Sequence, residues 1–141
     1  MDYSTIILSI SSPVSVIVGV VLGVWITNFR DKKQEKRKIL RLRRLLGKEI
    51  QQNVNLRKSV PLKSPPEYLL FDIYQSNLGN IYVLEDELLD AVLNHYKIVQ
   101  RFDKFQHDYE TGIHSNQAKL LELANKSCEL GEEALKLMNS D

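Results

Sequence analysis

The sequence has very little cysteine and no glycine-rich loop. Cys128 is the single cysteine in 141 residues, which excludes an intramolecular disulfide and a zinc site built from several cysteines. The six glycines are dispersed, so no phosphate-binding loop is recognisable. Alternating strand patterns are also absent. We therefore predict an all-α protein that uses no cofactor and lies in a reducing compartment.

Charge is absent from one long stretch near the N-terminus. The 21 residues Ile6–Ile26 carry no charged side chain, and the nearest charged residues are Asp2 and Arg30. At about 1.5 Å per residue, a helix of this length reaches roughly 30 Å, the thickness of a bilayer's hydrocarbon core. Tyr3 and Trp25 at its two ends fit the aromatic belts of the membrane interfaces. We predict a transmembrane helix.

The flanking charges predict how this helix is oriented. Only Asp2 precedes it, whereas the basic segment RDKKQEKRK follows it. A cleaved signal peptide has the reverse order of charge. Because segments rich in Lys and Arg stay in the cytoplasm, we expect a single-pass protein of the bacterial inner membrane with its N-terminus outside. Residues 1–29 are then a transmembrane anchor, and residues 30–141 a cytoplasmic helical bundle.

Small residues recur at every fourth position of the predicted anchor: Ser11, Ser15, Gly19, Gly23 and Thr27. Positions four apart share one face of a helix. Small side chains on such a face let two helix backbones approach closely in lipid, so the pattern predicts a homo-oligomer. The alternative is that glycine and serine are simply common in membrane helices.

Beyond the anchor, positive and negative charge are separated. Residues 30–48 contain ten Lys or Arg against two acidic residues, and residues 49–141 contain nine against fifteen. We call the following residues the basic collar: Lys32, Lys33, Lys36, Arg37, Lys38, Arg41, Arg43 and Arg44. Its position predicts contact with anionic lipid head groups. Nucleic acid is the alternative partner. It is disfavoured because no aromatic residue between Arg30 and Lys58 is available to stack on a base.

Helical periodicity covers most of the cytoplasmic part. A stripe of Ile39, Leu42, Leu46, Ile50 and Val54 predicts that the first helix continues to about Lys58. Proline-rich residues 60–66 then break the chain. Further helices are predicted over 65–75, with Ser64 as its cap, over 85–109, and over 115–138, with Ser115 as its cap. The fold class is therefore an antiparallel helical bundle whose first helix is the membrane stalk.

A resemblance to known proteins lies in the middle of the chain. The segment Tyr74–Gly79, followed by Leu84, Leu88-Leu89 and Asn94-His95-Tyr96, resembles small bacterial proteins with one N-terminal membrane helix and a cytoplasmic helical bundle. The resemblance implies a fold and no activity. The general layout is also similar to membrane-anchored accessory and effector proteins of bacterial antiviral systems of the CRISPR type, including those that accompany an RNA-guided RNA nuclease.

Two groups of residues are candidates for chemistry. Arg101 and His107 have the spacing of the Arg–His pair of HEPN ribonucleases, although Phe102 stands where that family usually has a polar residue. Both also fit an ordinary polar helix face near a C-terminus, where cations complement the dipole. His95, His107 and His114 lack the spacing of metal ligands, so we predict no metal site. Cys128 occupies an apolar helical position and is expected in the core.

These observations predict a protein that acts through assembly and not through catalysis. The main hypothesis is a non-enzymatic membrane effector that homo-oligomerises through its anchor and stalk, forms a pore or perturbs the bilayer, and serves antiviral defence. The second is a module that tethers a cytoplasmic partner protein to the membrane. The third is a HEPN-like ribonuclease that uses Arg101 and His107.

Overall fold

The computed structural model describes the backbone of residues 3–112 and 116–140, and the side chains of residue 18 onward within those ranges. The helices are α1 (Tyr3–Ser59), α2 (Asp72–Ser76), α3 (Asp86–Glu110) and α4 (Gln117–Met138), with a 3-10 turn at Ile81–Val83. The described residues include no strand. The prediction of an all-α fold is confirmed.

Helix α1 is continuous over 57 residues and ends at Ser59, one residue beyond the predicted position. Contacts within the chain divide it into two units, Met1–Lys38 and Ile39–Asp141. In the second unit the predicted apolar stripe of α1 is buried from Leu42 to Val54. Because Pro61 cannot continue a helix beyond Val60, the chain turns there.

The second unit is built by α3, α4 and the C-terminal half of α1 around one apolar core. Met138 lies beside Gly47, and Gly131 lies beside Val54, so α4 runs antiparallel to α1. A tight turn in which Gly112 adopts a φ of 77° ends α3 and leads toward α4. Since α3 and α4 form a hairpin, α3 runs parallel to α1.

The predicted second helix, 65–75, is wrong for most of its length. The structure has only the five-residue α2, and residues 60–71 are irregular. The physical reason lies in the backbone hydrogen bonds. The N–H group of Leu70 donates to Asn53, and those of Ile73 and Tyr74 donate to Glu49, so α1 supplies the acceptors that a helix would otherwise supply. We call residues 60–84 the strap.

The ends of α3 and α4 agree with the sequence patterns to within two residues. The capping residue of α4 is Asn116, whose side chain accepts from the N–H group of Lys119 at 3.1 Å. Ser115, the predicted cap, lies outside the described residues.

The predicted membrane span, Ile6–Ile26, lies only partly within the described side chains. Over residues 18–112 and 116–140, no helix contains an apolar stretch that is long enough to cross a bilayer. Residues 6–17 of the predicted span Ile6–Ile26 lie outside the described side chains.

Candidate functional site

The first described side chains of α1, from residue 18 onward, are mostly apolar and are exposed on every side of the helix. We call residues 18–29 the apolar segment. Its large apolar side chains expose between 46% and 66% of their surface: Val18, Val20, Val21, Leu22, Val24, Trp25, Ile26 and Phe29. Trp25 and Phe29 stack on each other, with their ring centroids 6.1 Å apart. A contiguous exposed apolar surface of this kind marks an interaction site for a membrane or another protein.

The small residues of this segment are open to a neighbour. A Cβ atom added to Gly19 or Gly23 would meet nothing within 4 Å. The hydroxyl of Thr27 donates to the carbonyl oxygen of Gly23 at 2.8 Å, so its polar group is already satisfied within the helix. Ser11 and Ser15 belong to the same predicted face and lie outside the described side chains.

The basic collar is exposed except at one position. Lys32, Lys33, Lys36, Arg37, Lys38, Arg41 and Arg44 are all exposed. None of them takes part in the ion pairs found among the described side chains. Arg43 differs, because it is half-buried and its Nη2 donates to the carbonyl oxygen of Leu137 at 2.8 Å. It satisfies a carbonyl at the C-terminal end of α4, where a cation complements the helix dipole.

Three polar side chains of α1 are buried in the bundle. We call Glu49, Asn53 and Arg57 the polar ladder; they expose 2%, 1% and 5% of their surface. The carboxylate of Glu49 accepts from the N–H groups of Ile73 and Tyr74 at 2.7 and 3.1 Å. A third hydrogen bond comes from the hydroxyl of Tyr96, at 2.6 Å. The buried charge is therefore compensated by three donors.

The other two members of the polar ladder also reach across the bundle. Asn53 pairs with both backbone groups of Leu70, donating at 2.8 Å and accepting at 2.6 Å. Arg57 donates to the side-chain oxygen of Asn125 on α4 at 2.6 Å and to the carbonyl oxygen of Leu62 at 3.2 Å. The polar ladder thus fastens the strap along α1. Its signal in the sequence is a polar residue at every fourth position beside the apolar stripe, which hydrophobic periodicity alone does not single out.

His95 completes this buried polar network. Its Nδ1 lies 2.9 Å from the carbonyl oxygen of Ser127, so Nδ1 carries the proton, and Nε2 is left to accept from Asn53 at 3.4 Å. Burial lowers the pKa of His95 to about 4, and the imidazole is neutral at pH 7. Burial and the neighbouring Glu49 raise the pKa of the Tyr96 hydroxyl. These hydrogen bonds join α1 to the strap and α3, and α3 to α4, and so help to hold the bundle together.

Of the residues considered for catalysis, the structure describes Arg101, His107 and His95. Arg101 and His107 are both exposed on α3, about 9 Å apart along the helix axis. His95 is buried, whereas His107 is exposed and His114 lies outside the described residues. Within the described ranges, no three His, Cys, Asp or Glu side chains are grouped to hold a metal ion. Cys128 is half-buried, and burial raises the pKa of its thiol.

Comparison with known proteins adds no relative to this picture. No protein-family model matches the chain, and neither a curated protein nor a solved structure is significantly similar to it.

Proposed function

We propose that this protein is a single-pass membrane effector whose copies associate through the N-terminal part of α1 and act on the bilayer without catalysis. The observation that carries the proposal is the exposed apolar segment, which is followed at once along α1 by the basic collar.

The apolar segment supports insertion into lipid. A helix that is apolar on all sides is stable when lipid or protein surrounds it. Burying one large apolar side chain contributes about 1.5–3 kcal/mol, so the eight exposed ones favour insertion by about 10 kcal/mol or more. Residues 6–17 continue the same uncharged run in the sequence. The whole stretch then has the length of a membrane span.

The basic collar supports a cytoplasmic side rich in anionic lipids. Each Lys or Arg near such a surface contributes about 1 kcal/mol of attraction. The stacked Trp25 and Phe29 precede the collar, at the depth where aromatic side chains favour the interface. Nucleic acid is the weaker partner, because residues 30–58 contain no aromatic side chain to stack on bases.

Self-association is supported by the open face at Gly19 and Gly23. Small residues let helix backbones approach in lipid, and among the described residues no atom lies within 4 Å of a Cβ atom added to either glycine. A ring of such helices encloses a lumen, which gives the pore-like form of the proposal. The similarity in layout to effectors of bacterial antiviral systems makes defence the biological setting that we propose.

Insertion is tested by extracting membranes with alkaline carbonate and by fusing reporters to each end. We expect the full chain to remain in the membrane, a C-terminal green fluorescent protein to be bright, and an N-terminal alkaline phosphatase to be active outside. Release of the protein by carbonate would overturn the proposed insertion.

Assembly is tested by native mass spectrometry of the detergent-solubilised protein. Gly19→Leu with Gly23→Leu is compared with Val20→Leu and Val24→Leu, which have the same spacing on a neighbouring face. We expect a discrete oligomer that dissociates in the glycine variant only. A monomer in the unaltered protein, or equal loss in both variants, would contradict association through the small-residue face.

Effector action is separated from tethering by replacing residues 1–29 with an unrelated transmembrane helix. If the protein acts on the bilayer, induced expression of the unaltered chain lowers membrane potential, and the replacement abolishes that effect. If the bundle only tethers a cytoplasmic protein, potential is unchanged in both chains and function survives the replacement.

A further inference from the structure

One surface of the second unit combines exposed apolar side chains with negative charge. Beside the 3-10 turn, Leu78, Tyr82 and Val83 expose 45%, 72% and 45% of their surface. The next residues, Glu85, Asp86 and Glu87, are exposed at the start of α3. We call these six residues the acidic patch. An apolar surface rimmed by charge is typical of a docking site for a partner of opposite charge.

A surface of the opposite character lies on α1. Leu40 exposes 61% of its surface, and the neighbouring Arg41, Arg44 and Lys48 are exposed as well. Leu40, Arg44 and Lys48 are spaced by four residues and therefore share one face of the helix. We call these four residues the basic face. It presents one apolar side chain among three cations, whereas the acidic patch presents three apolar side chains beside three carboxylates.

The two surfaces lie at the same level along the axis of α1. His95 of α3 lies beside Asn53 of α1, and Gly131 of α4 lies beside both Val54 and His95. Asp86 comes nine residues before His95, and Arg44 comes nine residues before Asn53, a distance of about 14 Å along each of the two parallel helices. The acidic patch is thus level with the basic face. Copies that stand side by side with parallel α1 helices present the two surfaces at equal height.

Among the described side chains, neither surface takes part in an ion pair. The ion pairs found among the described side chains join Lys58 to Glu132 and Lys119 to Glu122, and they include no member of either surface. A second copy of this chain offers both the charge and the apolar group that each surface lacks.

We propose that the acidic patch of one copy docks on the basic face of a second copy. The inference deepens the proposed function and rests on it in one respect, because copies held in one membrane meet at high effective concentration. The contact joins two different surfaces and is heterologous, so a pair of copies retains one free acidic patch and one free basic face. Such contacts close into a ring when the rotation between copies permits it.

The contact is tested by site-specific cross-linking of the full chain in its membrane. In a Cys128→Ser background, a Leu40→Cys copy with one tag is mixed with a Tyr82→Cys copy with another, and the disulfide is formed with a mild oxidant. We expect a dimer that contains both tags. The matched control pairs Tyr82→Cys with Lys126→Cys, an exposed position on α4. Equal cross-linking in the two pairs, or none in the first, would overturn the inference.

Charge exchange provides an independent test by fluorescence transfer between labelled copies in nanodiscs. Arg41→Glu with Arg44→Glu, or Glu85→Lys with Glu87→Lys, should weaken association about tenfold, because each replaces two attractions with two repulsions. Combining all four changes should restore association. Lys104→Glu with Lys126→Glu alters the charge equally elsewhere and should have little effect.

The outcomes distinguish this contact from the proposed function. If the basic face bound only lipid, Arg41→Glu with Arg44→Glu would weaken association. The compensating changes Glu85→Lys with Glu87→Lys would then not restore it. If association depends on the glycines alone, it is lost in the Gly19→Leu, Gly23→Leu variant and unchanged by every charge substitution. In that case the contact between membrane helices stands and this inference fails. If the charge changes act while the glycines do not matter, the inference stands without the anchor face.

Discussion

The two units of the chain share one helix but treat polarity in opposite ways. In the first unit, α1 turns apolar side chains such as Leu22 and Trp25 outward on every side. In the second unit, the same helix turns Glu49, Asn53 and Arg57 inward. Neither arrangement follows the simple rule that apolar groups are inside and polar groups outside. Each is stable only with a specific partner.

The two units differ in where the partners of these side chains lie. The buried polar ladder finds its partners within the chain, in backbone groups of the strap and in Tyr96 and Asn125. The large side chains of the apolar segment are exposed among the described residues, and in the proposed function lipid and other copies of the chain are their partners. Substitutions in the second unit should therefore change folding, and substitutions in the first unit should change insertion and assembly.

The largest expected effect on folding comes from the first step of the polar ladder. Glu49→Leu removes the acceptor of three donors, those of Tyr74 and Tyr96, which are buried, and that of Ile73, which is half-buried. Leaving buried donors unpaired costs about 1–3 kcal/mol each, so we expect a loss of about 4 kcal/mol in the free energy of unfolding. Urea titration of the full chain in detergent, followed by the near-ultraviolet dichroism of the stacked Tyr74 and Tyr96 rings, measures it.

The neighbouring exposed position supplies the control for that experiment. Lys48→Ala should change the free energy of unfolding by less than about 0.5 kcal/mol. If Glu49→Leu changed the free energy of unfolding as little as this control does, the hydrogen bonds of Glu49 would not be what fastens the strap.

The next effect belongs to the first unit. Val18→Arg places a cation near the middle of the predicted membrane span, where insertion costs about 3 kcal/mol more than for an apolar residue. We expect the fraction of protein that resists carbonate extraction to fall sharply, while Val18→Leu leaves it unchanged. Unfolding of the second unit should be the same in both variants. Loss of bundle stability in Val18→Arg would contradict the division of roles between the units.

The sequence predicted the helices whose buried residues recur with a regular period. It missed the conformation of the strap, which depends on partners far along the chain. The stripes of α3 and α4 predicted both helices, because their buried residues recur with the helical period. The strap could not be predicted in this way. Whether residues 65–71 form a helix is decided by Asn53, which binds both backbone groups of Leu70. That pairing is set by tertiary structure and leaves no local signal.

The same distinction applies to the candidate sites. Most side chains of the basic collar are exposed, as is usual for charged residue types. Arg43 departs from its neighbours because the C-terminal end of α4 happens to lie beside it. Likewise, the acidic patch depends on the 3-10 turn, which buries Ile81 and Leu84 and thereby exposes Tyr82 and Val83. No periodic pattern in the sequence indicates that turn.

A smaller effect is expected from pH, and it should be confined to the second unit. The pKa of His95 is about 4 in the folded chain, compared with 6.5 for an ordinary histidine. The unfolded state therefore binds more protons, so the stability due to neutral His95 is complete above pH 6.5 and is lost as the pH falls toward 4. The expected loss at pH 5 is about 2 kcal/mol.

Replacing the titrating group isolates this contribution. His95→Gln should be less stable than the unaltered protein at pH 7 but should lose less on going from pH 7 to pH 5, since its side chain does not titrate. Urea titrations at the two pH values measure both quantities. If the free energy of unfolding fell equally from pH 7 to pH 5 in the two proteins, burial would not be keeping His95 neutral.

The smallest effect compares one substitution in the two units. A Cβ atom at Gly131 would lie 3.0 Å from Val54 and 3.2 Å from the ring of His95, whereas one at Gly19 meets nothing within 4 Å. Gly131→Ala should therefore destabilise the bundle by about 1 kcal/mol, because crowding of the core outweighs the better helix propensity of alanine. Gly19→Ala should leave unfolding of the bundle unchanged and instead weaken association measured by native mass spectrometry. If both alanines altered the same property, the two units would not differ in where their partners lie.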